Sequence, residues 1–206
     1  MKKQSLVQAT LILIIAGFVT KVLGMVNRIV VTRMLGEGGV GLYMLIMPSM
    51  MLLSTIATIG LPVAIPTLIS RAKQRQKKIL STSLIISIVC CFFLCLLIIV
   101  TAKPLAIYLL KDERTYLPLL SLAPLLFVVS ISSILKGYFQ GEQNMYPTAV
   151  STLIEQIVRI AFCIVFIVWL LPYGIVYAVV GTLWASVLGE LASVIILSIW
   201  FMLNMK

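Results

Sequence analysis

Residues 20–41 read TKVLGMVNRIVVTRMLGEGGVG, and the reading of this stretch decides the fold. It lies in a long apolar run, yet it carries Lys21, Asn27 and Arg28 at a depth where a bilayer holds no water. Wound at about 100° per residue, Gly17, Thr20, Lys21, Gly24, Asn27 and Arg28 share one arc of about 120°. Phe18, Val19, Val22, Leu23, Met25, Val26, Ile29 and Val30 fill the rest of the circumference. The pattern predicts a spanning helix with a cationic stripe on one side and lipid-compatible residues on the other. A charge at mid-bilayer costs ~2.5–3.5 kcal/mol even on the mildest scale, so the stripe has to face protein or a wet cavity. Two readings are open: a hydrated cavity that receives a ligand, or a structural ion pair against a neighbouring helix.

Composition sets the class. The chain has 206 residues, of which 62% are hydrophobic and 11% charged, and its mean hydropathy is +1.17. That balance is that of a polytopic membrane protein, with no polar stretch long enough to fold as a soluble domain. The net charge of +10 is concentrated in one short loop and otherwise scattered, which argues against nucleic acid as a partner. Cys90, Cys91, Cys95 and Cys163 lie in apolar runs, lack metal-ligand spacing and have no histidine beside them, so they read as small apolar fillers. No metal site and no cofactor is expected.

The pattern predicts six spans, at about 6–35, 42–70, 79–102, 116–138, 148–171 and 175–202, forming a single transmembrane lobe over 1–206. Met1-Lys2-Lys3 followed by apolar residues imitates a signal peptide, but no small-x-small cleavage site follows, so the first span is expected to be retained. Gly36, Gly38, Gly39 and Gly41 with Glu37 predict a tight turn over 36–41. Span two holds Pro48, Pro62 and Pro66, with Gly60 just ahead of Pro62. Internal prolines remove a backbone donor and clash with the preceding turn, so Gly60, Pro62 and Pro66 form a candidate hinge or a static kink.

Residues 71–78 read RAKQRQKK, five cations without an acid, and this loop is assigned to the cytoplasm. Span three is strongly apolar with few polar side chains and is expected to face lipid. An outer loop over 103–117 is expected to hold a short interfacial helix at 104–110. Lys136 and the segment that follows it are expected to return the chain to the cytoplasm. Span five places Ser151, Thr152, Glu155, Gln156 and Arg159 on one face, with Glu155 and Arg159 spaced i, i+4 in the favourable order. Span six places Thr182, Ser186, Gly189, Glu190 and Ser193 on one face. Six spans put both termini inside. Lys2, Lys3, Arg71, Lys73, Arg75, Lys77, Lys78, Lys136 and Lys206 then lie inside, against Arg33, Lys103, Lys111 and Arg114 outside.

If the polar faces of spans one, five and six converge, Lys21, Gly24, Asn27, Arg28, Glu155, Arg159 and Glu190 line a groove with a small positive excess. Such a groove suits a ligand with an anionic head and an apolar tail, since Arg and Lys pair with phosphate oxygens. A drug-cation exporter would need an acidic groove instead. An enzyme is not expected: no nucleophile has a base placed beside it in sequence, and no metal motif is present. A non-transporting membrane assembly or scaffold protein remains the alternative, as does half of a small-molecule exporter.

Five segments carry a family resemblance. They are residues 10–53 (TLILIIAGFVTKVLGMVNRIVVTRMLGEGGVGLYMLIMPSMMLL), 60–70 (GLPVAIPTLIS), 135–151 (LKGYFQGEQNMYPTAVS), 153–160 (LIEQIVRI) and 189–193 (GELAS). In this order they resemble the polysaccharide-biosynthesis and lipid II flippase group of the MOP exporter superfamily. The resemblance implies a flippase that moves undecaprenyl-diphosphate-linked wall or polysaccharide precursors by alternating access, in spore cortex peptidoglycan synthesis. Its implied partners are the lipid-linked oligosaccharide and the membrane lipids. Lys21 matches a position where lipid II flippases carry an essential cavity arginine. Asn27 matches another such arginine, so that charge is absent here, and Arg28 stands one position on. Members have two six-helix lobes, so the resemblance also implies a second lobe, as a separate chain, by self-association or in a longer frame.

Overall fold

A computed structural model of the chain describes residues 6–58, 60–71 and 75–204, with side chains for 11–58, 60–71 and 75–203. Lys2, Lys3, Lys73 and Lys206, used above for orientation, lie outside the described residues. The helices are α1 (Leu6–Thr58), α2 (Leu61–Arg71), α3 (Gln76–Pro104), α4 (Tyr116–Leu120), α5 (Leu122–Gly141), α6 (Tyr146–Leu170) and α7 (Ile175–Asn204). Short helical turns at Leu105–Leu109, Glu113–Thr115 and Leu171–Tyr173 join them. The described residues contain no strand.

The expected six spans are met in part: five helical stretches are long and apolar enough to cross a bilayer. The first, Leu11–Arg71, has 61 residues. At 1.5 Å per residue it would extend about 90 Å if straight, about three times the hydrocarbon thickness. It is not straight. Gly36 has φ 66° and ψ −177°, a conformation open essentially to glycine alone. A straight helix would separate the Cα atoms of Arg28 and Met44 by about 24 Å, yet Arg28 Nη2 lies 3.9 Å from Met44 Sδ. Residues 6–35 and 37–58 therefore double back on each other at Gly36. The turn expected over 36–41 is corrected to this one residue. Helix resumes at Glu37, since Gly38, Gly39 and Gly41 all take helical values.

The second break falls at Gly60, the first residue of the Gly60, Pro62 and Pro66 segment read as a hinge or a static kink. α1 ends at Thr58, and Gly60, at φ 66°, starts the next helix. Its carbonyl accepts from the backbone N–H of Val63 and Ala64. Pro62 sits in the first turn of α2, where its missing N–H costs nothing, and Pro66 lies inside α2. The Ser130 hydroxyl of α5 donates to the Ala57 carbonyl at 3.0 Å, satisfying an acceptor the terminating helix leaves open.

The centre of the bundle is α6 against α7, flanked by α5 and by α1. Val31, Leu35 and Ile46 of α1 meet Leu122 and Leu125 of α5, Ile167 of α6 and Leu183 of α7 in one core. α2 seats Ile65 and Ile69 beside Ile134 of α5. α3 packs Cys91, Leu94 and Ile98 on Leu126 and bridges to α5 through a 2.6 Å hydrogen bond between the Ser87 and Ser130 hydroxyls. Its other side exposes Ile85, Phe92, Phe93, Leu97 and Val100, the apolar coat that lipid requires. The cysteines are free, and Cys91, Cys95 and Cys163 are buried as expected of fillers. The interfacial helix expected at 104–110 is a π-helical turn at Leu105–Leu109 continuing α3.

Two glycines five residues apart respond oppositely to the same change. Gly36→Ala forces a β-carbon into a conformation that costs ~1–3 kcal/mol and lowers the melting temperature in detergent micelles. Gly41 is helical, and an added Cβ there meets nothing within 4 Å, so Gly41→Ala stabilises by ~0.5–1 kcal/mol and raises it.

Candidate functional site

The stripe on α1 borders an open groove. A cavity of about 740 Å³ is lined by Gly17, Thr20, Lys21, Gly24 and Arg28 on the first arm of α1, by Met51 on its second arm, and by Thr148 and Thr152 on α6. The one-residue reversal at Gly36 brings Met51 to the wall, and the N-terminal turns of α6 supply the opposite side. Lys21 and Arg28 are both exposed. Neither has an ion-pair partner among the described residues, and Arg28 meets only the soft sulfur of Met44. Asn27 does not line the groove; its Oδ1 is buried without a hydrogen-bond partner.

The structure does not bring Glu155, Arg159 and Glu190 into that groove, which corrects the single convergent groove expected above. They join a separate charge cluster inside the bundle. Glu155 Oε2 accepts from Lys136 Nζ of α5 at 2.8 Å, and Glu155 Oε1 accepts from Arg159 Nη2 at 2.6 Å. Glu190 of α7 lies further out, with Oε2 3.7 Å from Lys136 Nζ and Oε1 3.9 Å from Arg159 Nη2. The cluster holds two cations and two carboxylates on α5, α6 and α7. Gly189 permits the closeness, because a Cβ there would stand 2.8 Å from the Glu155 carbonyl oxygen. The four polar residues share one face of α6 at i, i+4, i+7 and i+11, so the split is one of depth: Thr148 and Thr152 in its N-terminal turns border the groove, while Glu155 and Arg159, about 10 Å further along the axis, meet Lys136 and Glu190.

Lys136 was expected at a cytoplasmic boundary and is instead part of this cluster. α5 runs on to Gly141, five residues past Lys136. The signal was present: Ser132, Lys136 and Gln140 recur at i, i+4 and i+8, which continues the polar face of α5 rather than ending it. The basic side chain, followed by GYFQG, read as a loop instead. Lys136 and Glu190 also line a smaller cavity of about 260 Å³ together with Thr58, Pro62, Ser132 and Gln140. Of the candidate hinge, Gly60 forms the break itself, Pro62 lines this cavity, and Pro66 lies beside Gly137 and Gly141 of α5. A loop contact outside the bundle, from the Gln76 amide to the Glu142 carboxylate, ties the start of α3 to the end of α5.

Comparison with known proteins adds a family. The model of the polysaccharide biosynthesis protein family matches residues 6–206. The chain is 46% identical over 206 residues to stage V sporulation protein B of Bacillus subtilis (strain 168), covering 98% of this chain and 40% of that protein. It is 29% identical over 214 residues to the lipid II flippase MurJ of the same organism, covering 95% of this chain and 39% of that one. It is 28% identical over 165 residues to the sporulation protein YkvU of that organism, covering 79% and 36%. The chain thus spans about two fifths of the length of these relatives. No solved structure matches it.

Removing Glu155 leaves two cations facing a single, more distant carboxylate. Glu155→Gln lowers stability toward the low end of ~3–5 kcal/mol, because Lys136 and Arg159 retain 20% and 21% of their side-chain exposure. Adding Lys136→Met restores part of the loss. A double-mutant cycle of melts in detergent reads the coupling, expected at ~0.5–3 kcal/mol.

Proposed function

The chain belongs to the polysaccharide biosynthesis protein family, and from that premise we propose that it forms one lobe of a flippase for lipid-linked wall or polysaccharide precursors. The observation that carries this reading is the unequal use of charge. Both cluster carboxylates, Glu155 and Glu190, are engaged by Lys136 and Arg159, so the groove keeps Lys21 and Arg28 without a counter-ion. Such a groove attracts a diphosphate and repels an organic cation. Its wall also offers Leu13, Ala16, Met25 and Met51 to an apolar tail.

In this reading residues 11–71 cross the membrane twice, the lobe has six crossings, and both ends lie in the cytoplasm. The substrate is an undecaprenyl-diphosphate-linked saccharide, and the name of one relative, stage V sporulation protein B, supports a place in sporulation, for which the family resemblance suggests spore cortex peptidoglycan synthesis. The relatives' greater length supports a second lobe that closes the open side of the groove. Gly60, with Pro62 and Pro66 after it, is the hinge, a reading supported by the positive φ of Gly60 between α1 and α2 and by the missing N–H of the two prolines. Alternating access then means that α2 tilts about Gly60 while the charge cluster holds α5, α6 and α7 as a block. Lys21, Gly24 and Arg28 form the binding stripe, with Asn27 behind it; Glu155, Arg159 and Glu190 keep its surroundings neutral rather than touching the ligand.

Binding of undecaprenyl diphosphate and of undecaprenol to the solubilised protein tests this. The diphosphate is expected to bind at least about tenfold more tightly, and Lys21→Ala and Arg28→Ala each to reduce that preference. Equal affinity for the two lipids, or a preference untouched by both substitutions, would remove the anionic-head reading.

A further inference from the structure

At the end of α3 away from the basic 71–78 segment, the chain holds two opposite charges apart. Lys103 stands in the last turn of α3, and Glu113 opens the three-residue turn Glu113–Thr115. Both side chains are exposed, and both line a cavity of about 350 Å³ together with Ala106, Ile107 and Tyr116. Yet they form no ion pair with each other; the ion pairs among the described residues all involve Glu155 or Glu190. A cation suits the C-terminal end of α3, which explains Lys103 but not the carboxylate on the same cavity wall.

The backbone between the two is tied so as to keep that spacing. After Pro104 the helix widens into the π-helical turn Leu105–Leu109, closed by the Leu110 N–H on the Leu105 carbonyl at 2.9 Å. Lys111 then takes φ 53°, a left-handed conformation that a β-carbon disfavours. The Asp112 N–H returns to the Ala106 carbonyl at 3.1 Å. The Asp112 carboxylate accepts from the Arg114 N–H at 2.9 Å, and its carbonyl accepts from the Thr115 hydroxyl at 2.7 Å. Glu113 is thereby carried on a turn fixed on both sides, over buried Ala106 and Thr115. π-turns and left-handed side-chain-bearing residues gather at functional sites.

The surroundings set the depth. Gln76–Leu109 is one stretch long and apolar enough to cross a bilayer, and at its end Tyr108 and Leu109 are 79% and 71% exposed. Ile107, Tyr116 and Leu117 are exposed beside them. Tyrosines and bare apolar side chains next to charges at the end of a span mark the boundary between lipid and water. Phospholipid head groups occupy that boundary. One class of them carries both charges that the cavity complements: a phosphate, which pairs with a lysine, and a primary ammonium, which donates to a carboxylate. The Tyr116 ring also suits an ammonium.

We propose that this cavity is a binding site for a phospholipid whose head group joins a phosphate to a primary ammonium, with Lys103 on the phosphate and Glu113 on the ammonium. The acyl chains then run down the exposed apolar side of α3. The site needs only a membrane-spanning α3 and stands whether or not the groove on α1 takes a lipid diphosphate.

The test is lipid binding to the delipidated, detergent-solubilised protein, read by native mass spectrometry. The probes are phosphatidylethanolamine, phosphatidylcholine and phosphatidylglycerol with matched acyl chains. Phosphatidylethanolamine is expected to bind at least about fivefold more tightly than either of the others, since one lacks N–H donors on its ammonium and the other lacks the ammonium. Lys103→Gln is expected to weaken all three, because all carry the phosphate. Glu113→Gln is expected to remove the preference for phosphatidylethanolamine while phosphatidylglycerol binds no more weakly than before. Neither substitution is expected to shift the lipid-free melting temperature by more than about 2 °C, because neither side chain pairs within the protein. Either of the other lipids binding as tightly as phosphatidylethanolamine, a preference that survives Glu113→Gln, binding untouched by Lys103→Gln, or a larger fall in melting temperature with lipid binding unchanged would overturn the proposal.

Discussion

A charge inside a bilayer has no water to fall back on, so it has to meet an opposite charge or a wet surface. The architecture of this chain follows from how that demand is met. Glu155 takes hydrogen bonds from cations on its own helix and on α5, and Glu190 brings α7 to the same pair. Three helices are thereby clasped by one nearly neutral cluster. Breaking up such a cluster is costly because each remaining charge would stay desolvated. The bargain also has an electrostatic remainder. With both cluster carboxylates engaged, nothing acidic lines the groove to offset Lys21 and Arg28.

α6 connects the two sites. Its N-terminal turns carry Thr148 and Thr152 to the groove, and its next turns carry Glu155 and Arg159 to the cluster. Gly189 lets α7 lie close enough to touch the backbone of α6 at Glu155. The two breaks in the backbone lie elsewhere. The reversal at Gly36 and the break at Gly60 both depend on a positive φ, and α2 is joined to α1 through the second of these.

Much of this was legible from residue order. The cationic stripe, the i, i+4 pair of Glu155 and Arg159, the inward face of α7 and the lipid-facing side of α3 all follow from helical period, which a sequence carries directly. Other features resisted. The glycine-rich segment looked like a six-residue turn because glycine permits a turn without requiring one; only Gly36 uses the freedom. Lys136 looked like a boundary residue because a cation followed by glycines and aromatics is common at a membrane surface. Its partner lies 19 residues away on another helix, and such a pairing leaves no trace in local pattern.

The sequence by itself determined that the chain is helical, membrane-embedded, marked by one cationic stripe, and similar to a family of polysaccharide biosynthesis proteins. Those properties are sums over single residues or over neighbours on one helix. Which cation meets which carboxylate was decided by tertiary structure alone. Thr148, Thr152, Glu155 and Arg159 share one face of α6, and only the packing of α1, α5 and α7 at different depths along it decides which of them border the groove and which join the cluster.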